Sequence, residues 1–428
     1  MAVLSALYSL TGCSSNGGAD GDDTDTISDS ATDVDTDTGT DADTDSDTST
    51  DTTDTATDTT QVVTPTFYGA DDANIQYTGR VDFTDPTEPL FSAAGVYITA
   101  RFTGTGVTVS LEEEFKWDQW SPDYISRNYY DVIIDGGYSV KISPEVGVTD
   151  YVIAAELAYG EHTVSVHKRT EASIGSCGFL GFEFQGTIID PPTRPARKVQ
   201  VIGDSIQAGS GIEAVNNSLE CAQDGWGVPW QNARLGYGAR AAAKLNAEYH
   251  IQAVSGIGLA QNYTDEYDAR SMADVYDLLF SELEPPTAPS PLWDTTLFEP
   301  DVVIIALGTN DFSTGPDDAN PRPAPLIKDY ADAYIAFVDR LIVWYPDAEI
   351  FAVSSPMLGD NWPTASETRR QDLIDALALV EAHYPSGVHA VTVSKQLGKG
   401  CGTHPDVAQS EASATQVADF ISQVMGWQ

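Results

Sequence analysis

Four short segments of this chain carry groups that could do chemistry together. Ser205, in "VIGDSIQAGSGI", directly follows a short apolar run. The segments "SGIG" (255–258), "GTND" (308–311) and "GTHPD" (402–406) come later, each after a predicted strand or before the last predicted helix. They present a hydroxyl, a glycine whose amide no side chain shields, a side-chain amide donor and an imidazole. Acyl transfer needs such a set: a nucleophile, a base to take its proton, and donors aimed at the developing oxyanion. Each residue also has an ordinary use. A serine after a strand commonly caps a helix or makes a turn, and a lone histidine commonly belongs to core or surface. No Cys-x-x-Cys or His-rich cluster suggests a metal site, and the chemistry calls for no cofactor.

Elements able to hold these segments follow Lys198. "VQVIGD", "YHIQAVS", "DVVIIALG", "EIFAVSSP" and "GVHAVTVS" read as buried strands. Between and after them, "GYGARAAAKLNA", "DYADAYIAFVDRLIVWYP", "SETRRQDLIDALALVEAHYP" and "DVAQSEASATQVADFISQVMGW" read as helices. Such alternation predicts an α/β fold for residues 197–428, a three-layer, doubly wound parallel sheet with helices on both faces. Function in these sheets collects at the carboxyl ends of the strands.

Ahead of it, residues 66–190 read as short strands with turn chemistry between them. "YDVIIDGGYSVKI" has an Asp135-Gly136-Gly137 turn, "GEHTVSVHKRTE" alternates with period two, and "VYITARFTGTGVTVSLEE" reads as two runs separated by a turn at Gly104-Thr105-Gly106. An all-β, jelly-roll-like sandwich is expected. The proline-rich "IIDPPTRPAR" (188–197) marks the boundary.

The remaining chain is unlike either domain. Residues 14–60 are almost wholly Asp, Thr, Ser, Gly and Ala, so residues 14–65 are expected to form a disordered acidic tether. The chain has 428 residues and a net charge of −44; residues 1–60 hold 15 acids and no base, leaving 50 acids against 21 bases, or −29. Such a field repels phosphate backbones and argues against nucleic acid as a partner. The start, "MAVLSALYSLTGC", resembles a bacterial lipoprotein signal (residues 1–13) ending in a lipidation cysteine, Cys13, although no Lys or Arg precedes its apolar run. Export to the cell envelope or beyond is the expectation, with membrane contact only through that anchor.

In order, "GDSI", the Gly256 segment, "GTND" and "HPD" resemble the four blocks of the SGNH, or GDSL-type, hydrolases. The sandwich, with "YTGRVDF", "GEHTVSVHKRTE" and "GFLGFEF", is similar to the front domain of carbohydrate esterase family 2, whose members deacetylate polysaccharides such as xylan and glucomannan. The resemblance implies Ser205 as nucleophile and His404 as base. It also implies an oxyanion hole made by the Ser205 amide, the Gly256 amide and the Asn310 side chain; Gly258 remains an alternative to Gly256. His162, His167, His250, His383 and His389 fall in or beside predicted strands and helices, where a structural role is the default.

One position departs from the pattern. Relatives place an Asp two or three residues before the histidine, where this chain has Gly402 and Cys401. A backbone carbonyl is therefore expected to orient His404, giving a Ser-His dyad, rather than Asp311 or Asp406. Oxidising export favours a disulfide between Cys221 and Cys401, with Cys177 unpaired; two free buried thiols are the alternative. Trp362 in "DNWP", and Trp226 and Trp230 in "DGWGVPW", could face a sugar ring or pack in the core. The reading is a monomeric serine esterase acting on acetylated polysaccharide. Its rivals are a glycan-binding protein with an inactive hydrolase domain and an esterase for another acyl ester, such as bacterial wall glycan.

Overall fold

The computed structural model describes residues 64–114, 116–117, 125–214, 221, 227–264, 270–281, 290–317 and 319–427, without the side chains of 116–117 and 125–126. Cys13, the tether up to residue 63, and Trp226 lie outside the described residues. Among the described residues, no helix is long and apolar enough to cross a membrane.

The first domain is an antiparallel sheet wrapped around one core. Its strands are β1 (Pro65–Gly69), β2 (Gln76–Thr78), β3 (Leu90–Phe91), β4 (Tyr97–Glu113), β7 (Tyr130–Ile134), β8 (Tyr138–Ile142), β9 (Asp150–Ala154), β10 (Gly160–Lys168) and β11 (Cys177–Ile189). A separate ribbon pairs β5 (Lys116–Trp117) with β6 (Ile125–Ser126). Alternate residues such as Ile98, Ala100 and Phe102 of β4, with Val164 and Val166 of β10, point into the core, as period-two patterning requires. The Asp135–Gly137 turn joins β7 to β8 as expected. Gly104-Thr105-Gly106, by contrast, is no turn. β4 runs through it unbroken, pairing β10 up to Gly104 and β9 from Val107. Glycine is needed there for close approach: a Cβ on Gly104 would lie 2.2 Å from the Gln185 carbonyl oxygen.

The second domain has a five-stranded parallel sheet in the order β13-β12-β14-β15-β16, made of β12 (Arg197–Gly203), β13 (Ala247–Ala253), β14 (Val302–Ala306), β15 (Glu349–Val353) and β16 (Val388–Val391). Alternate residues feed two cores, which is why its strands read as near-continuous apolar runs. Val201 and Ile304 pack with α1 (Tyr237–Lys244) and α5 (Val407–Met425) on one face. Ile202, Val303 and Ile305 pack with α3 (Ile327–Trp344) and α4 (Arg369–His383) on the other. A short helix, α2 (Met272–Val275), joins that second core. On α3 the buried Tyr330, Tyr334, Phe337, Val338 and Leu341 follow helical spacing. The chain steps from β12 to β13 on one side and returns to β14 on the other, so the crevice opens at the carboxyl end of β12.

Polar and charged groups join the two domains. Arg80 of the first is fully buried in the second, its guanidinium 4.9 Å from the Tyr276 ring centre and bonded to the Leu278 carbonyl. Arg169 bridges Asp131 of its own domain to Glu213 of the other. Tyr97 stacks on His167 and tilts against Tyr249.

Candidate active site

β12 ends at Gly203, and the chain turns at once through Asp204 and Ser205. Asp204 builds this turn. Its Oδ1 accepts from the Ile206 amide at 2.9 Å, and its carbonyl accepts from Gln207 and Ala208, each at 3.0 Å. Burial pushes the Asp204 carboxyl up to about 7. The Ser205 amide has no hydrogen-bond partner among the described residues.

His404 enters from the loop before α5. Its Nε2 lies 2.7 Å from Ser205 Oγ, and its Nδ1 lies 2.7 Å from the Cys401 carbonyl oxygen. A carbonyl can only accept, so Nδ1 carries the proton and Nε2 presents its lone pair to the serine hydroxyl. Burial holds the His404 pKa below the ordinary 6.5, partly opposed by the Cys401 hydrogen bond.

Neither alternative carboxylate serves His404. Asp406 caps α5, accepting from Gln409 N at 2.8 Å while Gln409 Oε1 accepts from Asp406 N. Asp311 Oδ1 accepts from the amides of Leu259, Ala260 and Gln261 at 2.6–3.0 Å and so shapes the loop after β13. The carbonyl beside His404 is held by other means. Cys401 is disulfide-bonded to Cys221, and its amide donates to Gly211 O at 3.1 Å. Gly211 must be glycine, because its φ is +58° and a Cβ would lie 2.2 Å from Cys401 Cβ. Cys177 is free and buried in the first domain.

Gly256, with φ +77°, directs its carbonyl to Tyr263 N at 2.8 Å; its own amide has no partner among the described residues. Gly258 is engaged elsewhere, its amide donating to Asn262 Oδ1 at 2.8 Å. Asn310 Nδ2 donates one hydrogen to Ile257 O at 2.7 Å, which leaves its second for the cavity. Ser205, Gly256, Asn310, Trp362 and His404 all line one open cavity of about 640 Å³. Trp362 is 51% exposed there, free to present its ring face. Trp230 instead sits under the Lys141 ammonium of the first domain, 5.3 Å from its ring centre, and does not line the cavity.

Three wall residues escaped the sequence reading. Tyr263 is a half-exposed aromatic in the loop after Gly256. Arg369, buried at the start of α4, donates to the Phe312 and Ser313 carbonyls and fixes the loop after Asn310. Glu171 comes from the first domain; its only signal was its place at the end of the charged run "HKRTE". Of the other histidines, His162 bonds Asp135, His389 bonds Glu349, and His250 is buried between Trp293 and Phe298.

Residues 77–192 match the carbohydrate esterase 2 N-terminal family, and residues 201–411 the GDSL-like lipase/acylhydrolase family. The cellulase/esterase CelE of Acetivibrio thermocellus is 30% identical over 362 residues, covering 83% of this chain; the chain spans only 40% of that protein's length. An acetylxylan esterase/glucomannan deacetylase of Cellvibrio japonicus is 27% identical over 365 residues, 84% of this chain and 91% of the relative. A family two carbohydrate esterase from Clostridium thermocellum, solved in complex with cellohexaose, superposes with a TM-score of 0.69 at 29% identity, covering 83% of this chain and all of that one.

Proposed function

Because this chain belongs to carbohydrate esterase family 2, we propose that it is a serine esterase removing O-acetyl groups from polysaccharide of the xylan or glucomannan type. The observation that carries this reading is the unbroken relay from Ser205 Oγ through His404 to the Cys401 carbonyl, with 2.7 Å at each step. Ser205 attacks the acetyl carbonyl as its proton passes to His404 Nε2. The negative charge that forms on the carbonyl oxygen meets the amides of Ser205 and Gly256 and the free Nδ2 hydrogen of Asn310. The Cys401 carbonyl stabilises the imidazolium. Collapse expels the sugar alkoxide, which takes the proton from His404 and leaves an acetyl-enzyme. Water, activated by the neutral histidine, then releases acetate and restores Ser205.

The openness of the cavity and the half-exposed Trp362 support a polymeric glycan substrate, since an aromatic face suits the apolar side of a sugar ring. The Leu10–Cys13 segment supports export and attachment through lipidated Cys13; transfer of a radiolabelled acyl chain to the wild type but not to Cys13→Ala is the expected outcome. Acetate release from acetylated xylan and glucomannan, with acetylated peptidoglycan as comparator, tests the main reading. Wild-type protein should deacetylate at least one plant glycan and an aryl acetate. Ser205→Ala should lower turnover by more than about 10⁴-fold. Glycan binding without Ser205-dependent acetate release would make the protein a binding module instead.

A further inference from the structure

The segment that follows β10 of the first domain delivers Glu171 into the cavity of the second. Glu171 is 7% exposed, and its carboxylate holds one residue at two points. Oε2 accepts from the Ser255 amide at 2.6 Å, and Oε1 accepts from Ser255 Oγ at 2.6 Å. Oε1 also accepts from Gln231 Nε2 at 3.1 Å, while Gln231 Oε1 accepts from the Glu171 amide at 3.3 Å. The Glu171 carboxylate itself is therefore fixed from the second domain.

Ser255 immediately precedes Gly256, and the peptide unit that joins them carries the Gly256 N–H. The clasp holds the Ser255 amide, in the preceding peptide unit, and the Ser255 side chain, while the Tyr263 amide holds the Gly256 carbonyl, in the following unit, so the unit between them is anchored on both flanks. A carboxylate beside a forming oxyanion is electrostatically adverse, so its presence calls for a geometric benefit. We infer that Glu171 is a positioning residue for the oxyanion hole, which is thus assembled across the boundary between the two domains. The inference rests on the esterase reading above, and it explains what the first domain does for the chemistry. Misplacing a reacting or stabilising group by about 1 Å can cost on the order of 100-fold in rate, so the clasp is worth keeping despite its charge.

The test uses the full chain, an aryl acetate as substrate, and phenylboronic acid as a probe that forms a tetrahedral anion on Ser205. Glu171→Ala should lower kcat about 10- to 100-fold, raise the boronic acid inhibition constant by a similar factor, and leave KM within about threefold. Glu171→Gln keeps one acceptor for Ser255 and should fall between wild type and alanine; being nearly isosteric, it carries the test if the alanine variant does not fold. Glu213→Gln is the structural control, since that carboxylate bonds Arg169 across the same boundary, and Asn232 within its own domain, without touching Ser255. It should leave kcat and boronate affinity within about threefold. The inference is overturned if Glu171→Ala and Glu171→Gln retain both parameters within about twofold, or if Glu213→Gln loses as much as they do. Those outcomes, with hydrolysis still dependent on Ser205, would leave the esterase reading intact. Absence of Ser205-dependent hydrolysis in the wild type would remove the esterase reading and this inference with it.

Discussion

His404 takes its orientation from an atom that every residue possesses, the carbonyl oxygen of Cys401. A carbonyl fixes the tautomer as well as a carboxylate does but brings no full charge to hold the imidazolium. Burial therefore dominates, and the His404 pKa falls below 6.5. In the proposed mechanism His404 must be neutral to accept the serine proton, so a lowered pKa extends activity to lower pH. The acid limb of kcat/KM should accordingly have its midpoint below 6.5. A midpoint above 7 would point to a carboxylate partner. Gly402 offers the converse experiment. A Cβ there would lie 3.4 Å from His404 Nδ1, close enough for an introduced Asp to reach the ring. Gly402→Asp should move the acid limb to higher pH, because a neighbouring negative charge favours the imidazolium. Its φ of +59° adds a strain of roughly 1 kcal/mol.

Among the elements, α5 is the one that sets the histidine loop. The capping box of Asp406 and Gln409 begins the helix two residues after His404, and the Gly400 amide closes the loop by donating to the His404 carbonyl at 2.8 Å. The Asp406 carboxylate is thus a helix cap. Asp406→Asn should leave turnover within about threefold and stability almost unchanged, because Asn caps nearly as well as Asp. Asp406→Ala should cost about 1 kcal/mol in denaturant unfolding. A ten-thousand-fold loss of turnover in folded Asp406→Asn, the size of effect known for removal of a true triad carboxylate, would instead make Asp406 the third catalytic member. The strand β4 is the element where pattern reading failed. Gly-Thr-Gly suits a tight turn and a close strand crossing equally, and only the Gln185 carbonyl packed against Gly104 distinguishes them.

At the scale of the whole molecule, polar groups of the second domain make hydrogen bonds with the residues ahead of it. Ser255 and Gln231 bond Glu171, the Leu278 carbonyl accepts from Arg80, and buried Glu248 pairs with Thr78 and Arg194. Leaving a buried group such as the Glu248 carboxylate without these partners costs about 1–3 kcal/mol. Residues 197–428 alone should therefore unfold at lower temperature and turn over an aryl acetate at least about tenfold more slowly, whereas a chain starting at Thr64 should keep full turnover. Equal activity of the isolated second domain would show that the domain boundary is dispensable for catalysis. A chain starting at Thr64 keeps the whole −29 carried beyond residue 60.

The sequence alone determined the two-domain order, the parallel sheet and the four segments around the cavity. Strands such as "DVVIIALG" are buried on both faces and so are written as apolar runs, and the site segments sit where those runs end. It also marked the missing acid, since Gly402 and Cys401 are visible as letters. Tertiary structure alone decided which amide is left free, Gly256 or Gly258, because that depends on Asn262 reaching Gly258. It alone brought Glu171 to Ser255, 84 positions away in the chain. A contact between distant residues is set by how two domains pack, and neither residue's type nor its neighbours carry a record of the partner it meets.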